Sequence, residues 1–154
     1  LPTYPRVGFF KARIDVYLGD LDVALAELEK DRKANGANEE GIILMGDIRL
    51  RQEKYPEAEA HYKEALKMNH RSAGALRGMA SIAFKRGQLD VALDLFRRGM
   101  EGEKDNPEAY RQLGEIYRLM GQPALAIESY KLYLKLLPDA PDKAQIEQHI
   151  RILE

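Results

Sequence analysis

Apolar residues recur at intervals of three and four along almost the whole chain, with charged residues between them. In ALAELEKD, residues 24–31, and AEAHYKEALKM, residues 58–68, this spacing puts the apolar side chains on one face of an α-helix. No stretch sustains the apolar/polar alternation of a half-buried strand. Glycines punctuate the pattern. Gly19, Gly87 and Gly121 each stand between two helical runs, where a residue of positive φ can end the first. Starts are marked as well. Asn106 precedes Pro107 and Glu108, an N-cap followed by proline at the first helical position and an acid in the first turn. Pro141 repeats that device, and Asn38 and Ser72 suit two further caps. The pattern predicts an all-α chain of about nine helices. They form four antiparallel pairs joined by short loops, with a last helix from near Pro141.

The pairs are written over one another. GDLDVALAEL starts at Gly19, EKYPEAEAHY at Glu53, GQLDVALDLF at Gly87 and GQPALAIESY at Gly121, a spacing of 34 residues. The sixth place is always alanine: Ala24, Ala58, Ala92 and Ala126. The tenth is always large: Leu28, Tyr62, Phe96 and Tyr130. The first helices carry small residues at the same period, Ala12, Gly46, Ala80 and Gly114. The physical expectation is that paired helices approach most closely at these small side chains, while the large residue four places on fills the space between repeats.

A helix–turn–helix of this length in tandem resembles the tetratricopeptide repeat. Repeats fall at about 5–38, 39–72, 73–106 and 107–140, with a capping helix at about 141–154. The fourth matches best, through Tyr110, Leu113, Gly114, Tyr117, Ala126, Tyr130 and Pro138. The first matches least, because Gly8, Lys11 and Asp15 stand where large apolar residues belong. The resemblance implies a right-handed superhelical solenoid forming a single domain over residues 1–154. Its terminal helix would show Ile146, Ile150 and Leu153 to the array and Lys143, Glu147, Gln148 and Arg151 to water.

Composition narrows the chemistry. Among 154 residues the net charge is −1, so no overall field draws the chain to nucleic acid or to an anionic membrane. There is no cysteine, which excludes disulfides and thiolate metal sites. No apolar run approaches the roughly 20 residues of a membrane-spanning helix, and no signal peptide is visible. The chain starts at Leu1 and not at Met, as an excised piece of a longer protein would. No phosphate-binding loop, nucleophile elbow or HExxH motif is present. His61, His70 and His149 read as surface histidines, and the tyrosines Tyr62, Tyr110, Tyr117 and Tyr130 as core. We expect no catalysis, no cofactor and no metal. Localisation stays open, with the cytoplasm slightly ahead of a bacterial periplasm. The final residues are similar to the ends of bacterial arrays of this family.

What remains is a binding surface. The resemblance implies a concave face lined by the first helix of each pair, at the second, fifth, sixth, ninth, twelfth and thirteenth places of a repeat. From these we select Ile43, Leu44, Asp47, Leu50 and Arg51 in the second repeat; Arg77, Ser81, Phe84 and Lys85 in the third; and Arg111, Glu115 and Arg118 in the fourth. Apolar anchors would give affinity. Arg77 and Arg111, at equivalent places, would form a cationic ladder selecting acidic residues. Gly74 and Gly78 would leave a dent open to a partner's backbone. The expected partner is an extended or helical segment of another protein, with acidic residues. Some arrays of this family hold a chaperone's C-terminal carboxylate. The matching places here are Phe9, Arg13, Leu44, Gly74 and Gly78, or one repeat later Ile43, Asp47, Gly78, Glu108 and Gln112. Neither set makes a carboxylate clamp. The alternative is a structural spacer or a homo-oligomer, formed through an N-terminal helix that presents Phe9, Phe10, Val16 and Tyr17.

Overall fold

The structure, a computed structural model, describes residues 6–102 and 104–154; the expected start of the first repeat at Pro5 lies outside them. Among these residues there are nine helices and no strand. They are α1 (Val7–Leu18), α2 (Leu21–Asn35), α3 (Glu39–Arg51), α4 (Tyr55–Met68), α5 (Ala73–Lys85), α6 (Leu89–Met100), α7 (Pro107–Leu119), α8 (Pro123–Leu136) and α9 (Lys143–Leu153). Two compact units are present, residues 1–78 and 79–154, and the division falls inside α5.

The turn within each pair is built identically. The amide of residue 20 donates to the carbonyl of Asp15, and that of residue 19 to Val16. The same two bonds recur from residues 54 and 53, 88 and 87, and 122 and 121. This is the Schellman closure, and it requires positive φ at its central residue. Gly19 (φ 90°), Gly87 (φ 74°) and Gly121 (φ 68°) supply it without cost. The fourth place belongs to Glu53, held at φ 59° despite its side chain. Caps follow the sequence in part. The Asn38 side chain accepts from the amide of Gly41 at 2.8 Å, and Ser72 Oγ from that of Ala75 at 3.4 Å. Helix α9 starts at Lys143 and not at Pro141, and its N-cap Asp142 makes no side-chain cap; the carboxylate accepts from the Tyr133 hydroxyl instead.

Packing follows the small residues. Ala12, Ala24, Ala58, Ala80, Ala92 and Ala126 are wholly buried. A Cβ on Gly46 would stand 2.6 Å from the Tyr62 ring, and one on Gly114 would stand 2.5 Å from the Tyr130 ring. Each ring therefore lies on the backbone of its partner helix, an approach that only glycine permits. In the first unit Phe9, Ala12, Ala24, Leu25, Leu28, Met45 and Ile48 make a core. In the second, Phe96, Ile116, Tyr117, Tyr130 and Tyr133 are joined by Ile146 and Ile150 of α9. The weak first repeat has a local reason for one of its misfits. A Cβ on Gly8 would come within 2.8 Å of Asp31 Cβ, so α1 and α2 meet closely there.

One period escaped the sequence reading. Isoleucine occupies 14, 48, 82, 116 and 150, all 34 residues apart. Ile48, Ile82, Ile116 and Ile150 are buried. Ile14 is 59 % exposed.

Candidate functional site

The twelve selected residues divide equally between the units. In the first, Ile43, Leu44, Asp47, Leu50 and Arg77 are half-buried and Arg51 is exposed. In the second, Ser81, Phe84, Arg111, Glu115 and Arg118 are half-buried and Lys85 is exposed. None is fully buried, as a recognition surface requires. Several are already spoken for. Leu44 packs on the first core and Phe84 on the second.

Asp47 centres the first unit's cluster. The Tyr62 hydroxyl donates to Asp47 Oδ1 at 2.6 Å. Burial pushes the carboxyl up from its ordinary range, against the pull of that bond and of the Arg77 and Arg51 guanidiniums. Burial pushes Arg77 down in turn, while Asp47 draws it back up. Arg77 is thus half-buried within the field of a carboxylate of its own unit. The glycines beside it leave no dent. A Cβ on Gly78 would sit 2.2 Å from the Tyr62 ring, and one on Gly74 would sit 3.2 Å from Ile43 Cδ1, so both places are filled from within.

The second unit repeats the arrangement with stronger pairing. The Tyr130 hydroxyl donates to Glu115 Oε2 at 2.9 Å, and Arg118 Nε donates to the same carboxylate at 3.0 Å. The Arg118 bond, ahead of the Tyr130 one, holds Glu115 below its ordinary range. Arg111 donates to Glu108 at 2.6 and 2.9 Å and lies 4.0 Å from Asp142. The expected cationic ladder is therefore not a pair of free cations: Arg111 is paired with Glu108, and Arg77 lies in the field of Asp47. Two clefts open beside these residues. One, of about 210 Å³, is lined by Ser81, Phe84, Lys85, Phe96, Arg111, Gln112 and Glu115. The other, of about 390 Å³, shares only Phe84, Arg111 and Glu115 with it and reaches Arg118, Tyr130 and His149.

Two histidines differ from the surface reading. His61 is half-buried and pushed down by burial. His149 is half-buried against the Tyr130 ring, at 5.9 Å between centroids. His70 is exposed. Among the described residues no group of three His, Asp or Glu side chains could hold a metal ion, and no helix is long and apolar enough to cross a membrane.

The carboxylate–tyrosine pairs are the feature sequence reasoning missed. Their signal was available: Asp47 with Tyr62 and Glu115 with Tyr130 share one spacing and one register.

Small residues at a fixed period, identical Schellman turns and rings laid on helix backbones define a tandem helical-hairpin repeat protein. Tetratricopeptide-repeat profiles match residues 43–102 and 107–139, and the chain belongs to that family. Over 118 residues it is 29% identical to Hsp70-Hsp90 organizing protein 3 of Arabidopsis thaliana, covering 77% of this chain and 21% of that protein. It is 32% identical over 73 residues to the photosystem I assembly protein Ycf3 of Prochlorococcus marinus, covering 46% of this chain and 42% of that protein. The chain thus spans less than half the length of either relative. Among solved structures, PilF of Pseudomonas aeruginosa superposes with a TM-score of 0.83 at 16% identity, over 97% of this chain and 67% of that one. That last likeness is one of fold.

Proposed function

We propose that this chain is a protein-interaction scaffold whose first helices hold a segment of another protein, without catalytic turnover. The names of its relatives describe organising chaperones and assembling a photosystem, which are tasks of contact between proteins. The observation that carries the reading is the pair of clefts beside α7, lined by half-buried Phe84, Arg111 and Glu115. An apolar floor with a charged rim is what a bound segment needs for affinity and register. The places that would clamp a chaperone's terminal carboxylate hold residues unsuited to it, so the reading does not extend to a chaperone-tail adaptor. A photo-crosslinking residue at Arg51 or Lys85 is expected to trap a partner from a native extract. The same residue at Lys63 of α4 or Lys131 of α8, both exposed on second helices, is expected not to. Crosslinks confined to the second helices would reject this surface.

A second reading, self-association or docking within a larger protein, is favoured by α1. Val7, Phe10, Ile14, Tyr17 and Leu18 are all at least half exposed and lie on one side of the helix. Ile48 and Ile116, the counterparts of Ile14, are covered on helices that pack on a preceding second helix. On this reading another helix covers Ile14. Sedimentation from low to high micromolar concentration tests self-association: a dimer lost in Ile14→Asp supports it, and a monomer throughout rejects it.

A further inference from the structure

In two repeats a tyrosine on the second helix reaches a carboxylate fifteen residues earlier on the first. The third repeat has the same two places, and they hold Ser81 and Phe96. Serine is shorter than aspartate or glutamate, and phenylalanine lacks the hydroxyl. Neither the carboxylate nor its donor is there to occupy the space between them. The cleft of about 210 Å³ lies at that place, with Ser81 and Phe96 both in its wall. Phe96 remains core, only 1% exposed, and stands behind the cleft as part of its lining. Interiors close such gaps when nothing else uses them. This gap is open to solvent and larger than the roughly 150 Å³ apolar cavity known to admit a benzene ring.

The rim settles the sign of what enters. Arg111 is engaged by Glu108 and Asp142, and Glu115 by Arg118 and Tyr130. Lys85, exposed at the mouth, makes no ion pair among the described residues. The rim charge not already spent on a neighbour is therefore positive.

We propose that the cleft formed where Ser81 and Phe96 replace the carboxylate–tyrosine pair is an anchor pocket. It takes one large aliphatic or aromatic side chain of a partner segment, with an aspartate or glutamate next to it facing Lys85. The proposal rests on the reading of the first helices as the binding surface, and it names the side chains recognised there.

The array itself supplies the test variant. Ser81→Asp with Phe96→Tyr rebuilds in the third repeat the pair that the second and fourth already fold with, and fills the cleft. The probe is a displayed library of random dodecapeptides selected on the wild-type chain. Enriched peptides are expected to carry Leu, Ile, Met, Phe or Tyr within two residues of Asp or Glu. The rebuilt pair should weaken them about tenfold or more, as loss of a buried anchor does. Exposed Lys85→Glu should weaken acidic peptides and favour versions carrying lysine, so it carries the test should the double variant fail to fold. Enriched peptides that bind both variants unchanged, yet compete with crosslinking at Arg51, overturn the pocket and leave the wider binding surface standing. A library with no enrichment over bare support overturns both.

Discussion

Glu53 is where a single side chain works against its backbone. Its three counterparts are glycines, and a left-handed residue with a Cβ costs roughly 1–2 kcal/mol. Glu53→Gly should therefore raise stability by about 1 kcal/mol in urea denaturation, after the extra freedom of glycine in the unfolded chain is subtracted. Gly78 gives the opposite sign. Alanine normally gains about 1 kcal/mol over glycine inside a helix. Here a Cβ would strike the Tyr62 ring at 2.2 Å, so Gly78→Ala should destabilise by roughly 1–3 kcal/mol. The sequence offered Gly78 as open space for a partner because a glycine on an expected surface face gives no sign of a ring arriving from another helix. Tyr62→Phe should cost about 1–3 kcal/mol, leaving half-buried Asp47 without its donor. A tyrosine variant as stable as the parent would show that water replaces the hydroxyl.

At the level of elements, the 34-residue period was legible because close helix approach tolerates few residue types. Alanine at four equivalent positions is a strong constraint, and all four prove wholly buried. Helix number and turn positions followed from it. The polar side of the first helices was less legible. Arg77 and Arg111 were expected to face a partner, yet Asp47 of α3 acts on Arg77, and Glu108, one turn earlier on α7, holds Arg111. A charge partner on another helix, as Asp47 is for Arg77, leaves no local spacing in a sequence, whereas the Glu108–Arg111 spacing of three was there to be read. The recurring isoleucine separates cover from exposure. Ile48→Ala should lose about 2–5 kcal/mol of stability, while Ile14→Ala should stay within about 0.5 kcal/mol. A large loss at Ile14 would mean that its face is covered in solution. Differential scanning of the two variants side by side decides it.

For the whole chain, acid should act in stages. Burial holds the His61 imidazole below its ordinary value near 6.5, with Arg32 and Arg49 opposing its protonation and Glu64 and Glu29 favouring it. The unfolded chain then binds the proton first. Its contribution is complete above that ordinary value and declines as pH falls toward the folded one. Glu115, held low by Arg118, gives a contribution present above the ordinary carboxylate value and lost further into acid. Asp47, pushed up by burial, acts in the reverse sense, since its protonation favours the folded chain. Urea midpoints should fall between pH 7.5 and 5.5, and His61→Gln should flatten that segment of the profile without altering the lower one. A midpoint independent of pH over that window would remove His61 from the account.

Ile150 stands on α9 one full period beyond Ile116, and both are buried. The closing helix therefore keeps time with the hairpins before it. Splicing a duplicate of residues 107–140 ahead of Pro141 would offer α9 the same docking surface it already has, so the chain can be lengthened modularly, like a ruler extended by whole divisions.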